Sequence, residues 1–201
     1  CFLLRQSTLS AYITTNAAVP PPEEAFETMF IQTETTPNPA SLKFLPGRDV
    51  LGAGSANFPS LEEAQGKSPL AESLFAVGGV IQVFLGADFI SVTKDDSREW
   101  QTLKPQILGA IMDYFTTGAP VMVGETDSEH TDDDGGNPEV VAQIKELLDE
   151  RVRPAVAQDG GDIVFRRFED GVVYLAMQGA CAGCPSSTAT LKMGIENLLR
   201  H

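Results

Sequence analysis

Two cysteines stand two residues apart in Gly179-Ala180-Cys181-Ala182-Gly183-Cys184-Pro185, in a chain of 201 residues whose one other cysteine is Cys1. Four kinds of chemistry suit thiols at this spacing. Buried structural thiols are common, but packing poorly explains a pair in a glycine-rich loop. A closed zinc site takes four Cys or His ligands, and this half of the chain adds only His201; His130 falls in an acidic run and Cys1 at the far end. A thioredoxin-like dithiol oxidoreductase also sets Cys-x-x-Cys between a strand and a helix, whose dipole lowers the thiol pKa. That fold needs further strands and helices after the motif, whereas 17 residues follow Cys184 and the preceding residue is Ala180 rather than an aromatic. An iron–sulfur cluster is held by thiolates, normally four. Two chains related by a two-fold axis supply four, so this reading points to a cluster shared across a homodimer. A cluster held by two ligands per chain can be released, which fits transfer better than electron transport.

The elements around the pair are legible. Asn137 as N-cap and Pro138 at the first position start a helix, with Val141, Ile144, Leu148 and Val152 on one stripe. Pro154 ends or kinks it. Asp159-Gly160-Gly161-Asp162 predicts a turn, its acids bonding nearby amides in preference to a metal. Ile163–Phe168 and Val172–Met177 predict a hairpin about Glu169-Asp170-Gly171. After the cysteines, Ser186 or Ser187 can cap a helix carrying Thr188, Leu191, Ile195, Leu198 and Leu199. The pair therefore lies between a strand and a helix N-terminus, whose unpaired N–H groups favour an anionic ligand. Gly179 and Gly183 let the backbone approach it closely.

The first half reads as a separate α+β unit. Phe30–Glu34 and Ser41–Leu45 are strand candidates about the turn Thr36-Pro37-Asn38-Pro39. Ser68-Pro69 opens a short helix. Val80–Leu85 and Phe89–Thr93 form a hairpin at Gly86-Ala87-Asp88. Trp100, Leu103, Ile107, Ile111 and Tyr114 follow helical spacing, stopped by Gly118 and Pro120. This half holds no His, no Cys after Cys1 and no phosphate loop. Its Lys43 and Arg48 read as solvated charges rather than ligand contacts.

Composition bounds the rest. A hydrophobic fraction of 42% and a charged fraction of 21% are those of a globular chain. Half of the net charge of −14 falls in residues 125–139, which carry seven acids and no Lys or Arg. Such a run reads as an extended linker; Asp132-Asp133-Asp134 lacks the spaced oxygen ligands of a calcium loop. The acidic balance argues against nucleic acid and against anionic lipid, and no apolar run is long enough to span a membrane. Residues 1–28, with one Arg and the run Pro20-Pro21-Pro22, read as a disordered leader or extension. The expected organisation is α+β, two small domains joined by an acidic flexible linker: 29–123, the linker 124–137, and 138–201. The chain stops within a helical pattern at Arg200-His201, which reads as truncation.

Asp159-Gly160-Gly161-Asp162, Gly179 through Ser187, and Thr190-Leu191-Lys192-Met193-Gly194-Ile195-Glu196 resemble the NifU-like C-terminal domain. Met29-Phe30-Ile31-Gln32-Thr33, Thr36-Pro37-Asn38-Pro39, Leu42-Lys43-Phe44, Pro46-Gly47, Phe84–Phe89 and Leu103-Lys104-Pro105 are similar to the N-terminal domain of Nfu proteins. The resemblance implies a non-enzymatic scaffold or carrier that binds a [4Fe–4S] cluster between two subunits and passes it to apo iron–sulfur client proteins after receipt from an upstream donor. Cys181 and Cys184 are the implied ligands. The desulfurase-docking and ferredoxin-like domains of full NifU are absent from this sequence, which favours receipt and transfer over assembly. Family members occur in bacterial cytoplasm and the mitochondrial matrix, and the Arg-poor first 28 residues point to the former.

Overall fold

The computed structural model describes residues 30–123, 137–182 and 185–199, without the side chains of 183–190. The expected leader, nearly all of the acidic linker with Asp132–Asp134, and Cys184 lie outside the described residues. Within them are the two α+β units that the sequence predicts.

The first is an antiparallel sheet with helices on one face. Strands β1 (Gln32–Thr35), β2 (Ser41–Leu45), β3 (Ala56–Phe58), β4 (Val80–Leu85) and β5 (Ile90–Lys94) are ordered β1-β2-β5-β4-β3. Asn38 shapes the first turn: its carbonyl accepts from Ser41 N at 2.9 Å and its side-chain Oδ1 from Ala40 N at 3.0 Å. Helices α1 (Leu61–Ala64), α2 (Pro69–Phe75) and α3 (Trp100–Thr117) cover the sheet. Ser68 caps α2 by accepting from Ala71 N at 3.2 Å, and its hydroxyl donates to Val121 O at 2.7 Å. Gly118, at φ +66, ends α3 in the left-handed conformation. β3 and α1 have no counterpart in the sequence pattern, because three- and four-residue elements are too short to show a period.

Strand alternation sorts the sheet into two faces. Leu42, Phe44, Val83, Leu85, Ile90 and Val92 point into the core with Leu70, Leu74, Leu103, Ile107 and Ile111. Ser41, Lys43, Phe84, Ser91 and Thr93 alternate with them, take the opposite face and are also buried.

The second unit starts with α4 (Pro138–Leu147), capped by Asn137, whose Oδ1 accepts from Glu139 N at 3.0 Å. A π-helical turn, Leu148–Val152, leads into α5 (Arg153–Gln158). Pro154 therefore neither ends the helix nor breaks it. The widened turn before it absorbs the missing N–H and the ring's clash with the preceding turn. Strands β6 (Gly161–Glu169) and β7 (Val172–Gly179) pair antiparallel about Asp170 and Gly171, at φ +51 and +78. Two successive left-handed residues match the twist of a tight hairpin. Helix α6 runs over Pro185–Leu199. Its start at Pro185 corrects the expected cap: Ser186 and Ser187 lie inside the first turn. Val141, Ile144, Leu148, Val152, Val156 and Ile163 form the core with Ile195 of α6. Among the described residues no helix is long and apolar enough to cross a membrane.

Ile107 is fully buried in the first core. Ile107→Ala is expected to destabilise that domain by about 2–5 kcal/mol through lost burial and the cavity left behind. Urea unfolding followed by the fluorescence of Trp100, the single tryptophan, which packs on this core, reads it directly.

Candidate metal centre

Cys181 emerges where β7 stops. Gly179 takes φ +65, Ala180 N donates to Gly160 O at 3.1 Å, and Ala182 N donates back to Gly179 O at 3.1 Å. These bonds tie the cysteine loop to the turn before β6. The Cys181 side chain is buried within the second core, against Gly161, where an added Cβ would stand 3.0 Å from Sγ. Glycine at 161 is thus what leaves room for the thiol. Helix α6 begins three residues beyond Ala182, so Cys181 sits between a strand end and a helix start, as the sequence predicts. Cys184 lies outside the described residues.

The turn is pinned electrostatically by Asp162, which the structure places inside β6 rather than in the turn. Its carboxylate Oδ1 accepts from Arg153 Nε at 2.8 Å and from Ile163 N at 2.7 Å. Oδ2 accepts from Arg153 Nη2 at 2.6 Å and from Ser55 Oγ at 2.6 Å. The Arg153 fork is bidentate, the strong geometry for such a pair, and also reaches Asp149 at 3.1 Å. Burial pushes the Asp162 carboxyl up, but the hydrogen bonds from Arg153 and Ser55, the guanidinium charge and the Ile163 N–H together hold it below the usual carboxylate range. The same pairing raises Arg153. With both oxygens engaged by donors, Asp162 ties the start of β6 to Arg153 and Ser55, in keeping with the turn-stabilising role expected for it. Among the described residues no group of three His, Cys, Asp or Glu side chains could hold a metal ion.

Lys43 corrects the sequence reading. It is not a solvated charge: it is 8% exposed, and its ammonium donates to the carbonyls of Ala157 at 3.1 Å and Gln158 at 3.4 Å. It also lies 4.6 Å from the centre of the Phe89 ring and 3.7 Å from Glu34. Arg48 remains exposed, over the Phe115 ring. Arg153, Ser55 and Lys43 all support the turn beneath Cys181, and sequence reasoning missed them. The one available signal was Asp162, an acid beside two glycines that needed a partner once its strand was buried.

Two family models match in the order that the motifs suggest. Residues 31–118 match "Scaffold protein Nfu/NifU N terminal" and residues 144–201 match "NifU-like domain". The chain is 52% identical over 181 residues to "NifU-like protein 4, mitochondrial" of Arabidopsis thaliana, covering 87% of this chain and 62% of that protein. It is 51% identical over 173 residues to "NFU1 iron-sulfur cluster scaffold homolog, mitochondrial" of Homo sapiens, covering 86% and 67%. The chain belongs to the Nfu/NifU-like scaffold family. This is a family of scaffolds rather than enzymes, and both of its domains are present. The chain spans about three fifths of the length of the first relatives it matches, at 62% and 60%. These relatives are named as mitochondrial proteins, so the bacterial cytoplasm expected from the Arg-poor start finds no support among them.

Two outcomes test the Asp162 network. Arg153→Gln leaves a buried carboxylate without its main partner. It is expected to cost about 2 kcal/mol, below the ~3–5 for a fully buried pair because the Arg153 side chain is 37% exposed; thermal unfolding measures it. The depressed Asp162 pKa contributes stability that is complete above the unfolded carboxylate value of about 4 and is lost as pH falls through the folded value below it. The melting-temperature gap between the native chain and Asp162→Asn should therefore hold from pH 7 to about 4 and close at lower pH.

Proposed function

We propose that this chain is an iron–sulfur carrier that takes a [4Fe–4S] cluster as cargo, holds it through Cys181 and Cys184 at a homodimer interface, and delivers it to apo-proteins. The observation that carries the reading is the Cys181 loop, joined to a glycine turn and set at the head of α6, in the domain that matches the NifU-like family. Two thiolates per chain fill half of a cluster's usual four positions, and a second copy completes them by symmetry. The human relative is named an iron–sulfur cluster scaffold, which supports the cargo.

Each residue has a task. Cys181 and Cys184 supply one thiolate each. The head of α6 turns unpaired N–H groups toward the anionic, thiolate-ligated cargo. Gly183, between the two cysteines, keeps a Cβ away from the sulfides, while Gly179 lets β7 close on Gly160 and Gly161. Residues 124–137 tether the two domains, and the client proteins and an upstream donor are the remaining partners; nucleic acid and membrane are not. The names of the relatives favour the mitochondrial matrix as the working compartment. Thioredoxin-like dithiol chemistry is disfavoured, because the domain that holds the pair matches the NifU-like family.

Anaerobic incubation with ferrous iron and sulfide is expected to give broad absorption near ~400 nm and about four irons per two chains. Cys181→Ser and Cys184→Ser should each lose most of both signals while keeping the native far-ultraviolet spectrum. A colourless product, or serine variants that load iron as the native chain does, contradicts the proposal.

A further inference from the structure

One register row crosses the whole first-domain sheet. Glu34 pairs with Lys43, Lys43 with Ser91, Ser91 with Phe84, and Phe84 with Asn57. The row lies on the face opposite the helices, and Lys43, Ser91, Phe84 and Asn57 in turn meet the end of α5 and the glycines of the second domain. Lys43 holds the last carbonyls of α5. Ser91 faces Gly160, where an added Cβ would stand 2.7 Å from the hydroxyl. Phe84 faces Gly179, whose Cβ would stand 2.9 Å from the ring, and Asn57 Oδ1 accepts from Gly179 N at 3.4 Å. Just outside the row, Ser55 donates to Asp162.

The layers therefore run from sheet row to glycine turn to the Cys181 thiol, which is 1% exposed. A thiolate that reaches a cluster shared with a second chain must come to the surface. We infer that the polar face of the first-domain sheet is a clamp on the glycine turn that keeps Cys181 buried, and that Lys43, Ser55, Asn57 and Ser91 are positioning residues whose release from that turn gives Cys181 access to cargo. The inference rests on the carrier reading for its purpose, not for its geometry.

The interface has the character of a reversible contact. Its bonds are hydrogen bonds that water replaces at little net cost, and polar contacts between domains of one chain are commonly transient. Ser91 Oγ is buried and meets no hydrogen-bond partner among the described residues, a debit that opening to water removes. A binding-competent state that is only partly populated lowers apparent affinity by its population, so the clamp sets how readily the carrier loads.

The test uses the full chain carrying Cys1→Ser and Cys184→Ser, so that Cys181 is the only thiol, and follows its reaction with a chromogenic disulfide reagent under native conditions. Ser91→Phe wedges bulk where Gly160 sits without entering the first core, and Lys43→Met removes the ammonium from α5 while keeping the stem. Both are expected to speed Cys181 modification by about tenfold, with the Trp100 emission of a folded first domain retained. A rate unchanged in both variants overturns the clamp, since burial would then belong to the second domain alone; should one variant lose the folded emission, the other decides. Thiol reactivity needs no iron, so failure of cluster loading and failure of the clamp are told apart.

Discussion

Residues 160, 161 and 179 have no space for a side chain, and much else follows from that. A Cβ on Gly179 would meet Gly160 O at 2.7 Å and Gly161 Cα at 2.9 Å. Because all three are glycines, the start of β6 and the end of β7 close on each other, and Gly160 and Gly179 adopt the positive φ that the reversal requires. The cysteine loop leaves from that closure, its thiol laid on one side. The first-domain sheet lies on the other. Any larger residue here would separate three layers at once, so the steric constraint couples the geometry of the site to the packing of the two domains.

The charges are arranged around the same point. Asp162 and Arg153 neutralise each other directly behind the turn, and Lys43 caps the carbonyls at the end of α5. These pairings leave the neighbourhood of the loop with little uncompensated charge. The overall −14 is concentrated elsewhere, half of it in residues 125–139, and the remainder of the chain from 140 onward carries nearly balanced acids and bases. Two copies of a nearly neutral domain can approach one another without the repulsion that the whole-chain charge would suggest. That suits the proposed site, in which each chain would offer two thiolates and a second copy the other two.

Local signals carried most of the fold. Ser68-Pro69 and Asn137-Pro138 act as helix starts because their side chains accept from amides within three residues. Asp170-Gly171 closes its hairpin because both residues tolerate positive φ. What escaped the sequence is what depends on distant partners. Lys43 looks like any surface lysine until α5, more than a hundred residues later, lies over it. Ser55 sits in a glycine-rich stretch with no pattern, yet bonds Asp162 across the domain boundary. Pro154 reads as a helix end or kink because the π-helical turn that accommodates it has no sequence period of its own. The cysteine pair was legible from spacing and scarcity, whereas the burial of Cys181 is a tertiary fact.

The central claim is that one chain supplies half of a site. Anaerobic native mass spectrometry of the iron- and sulfide-treated chain tests it most directly. The account predicts a species with the mass of two chains plus one four-iron, four-sulfide core, and no cluster on the single chain. A single chain carrying a complete cluster, or a two-chain species carrying two, would contradict it.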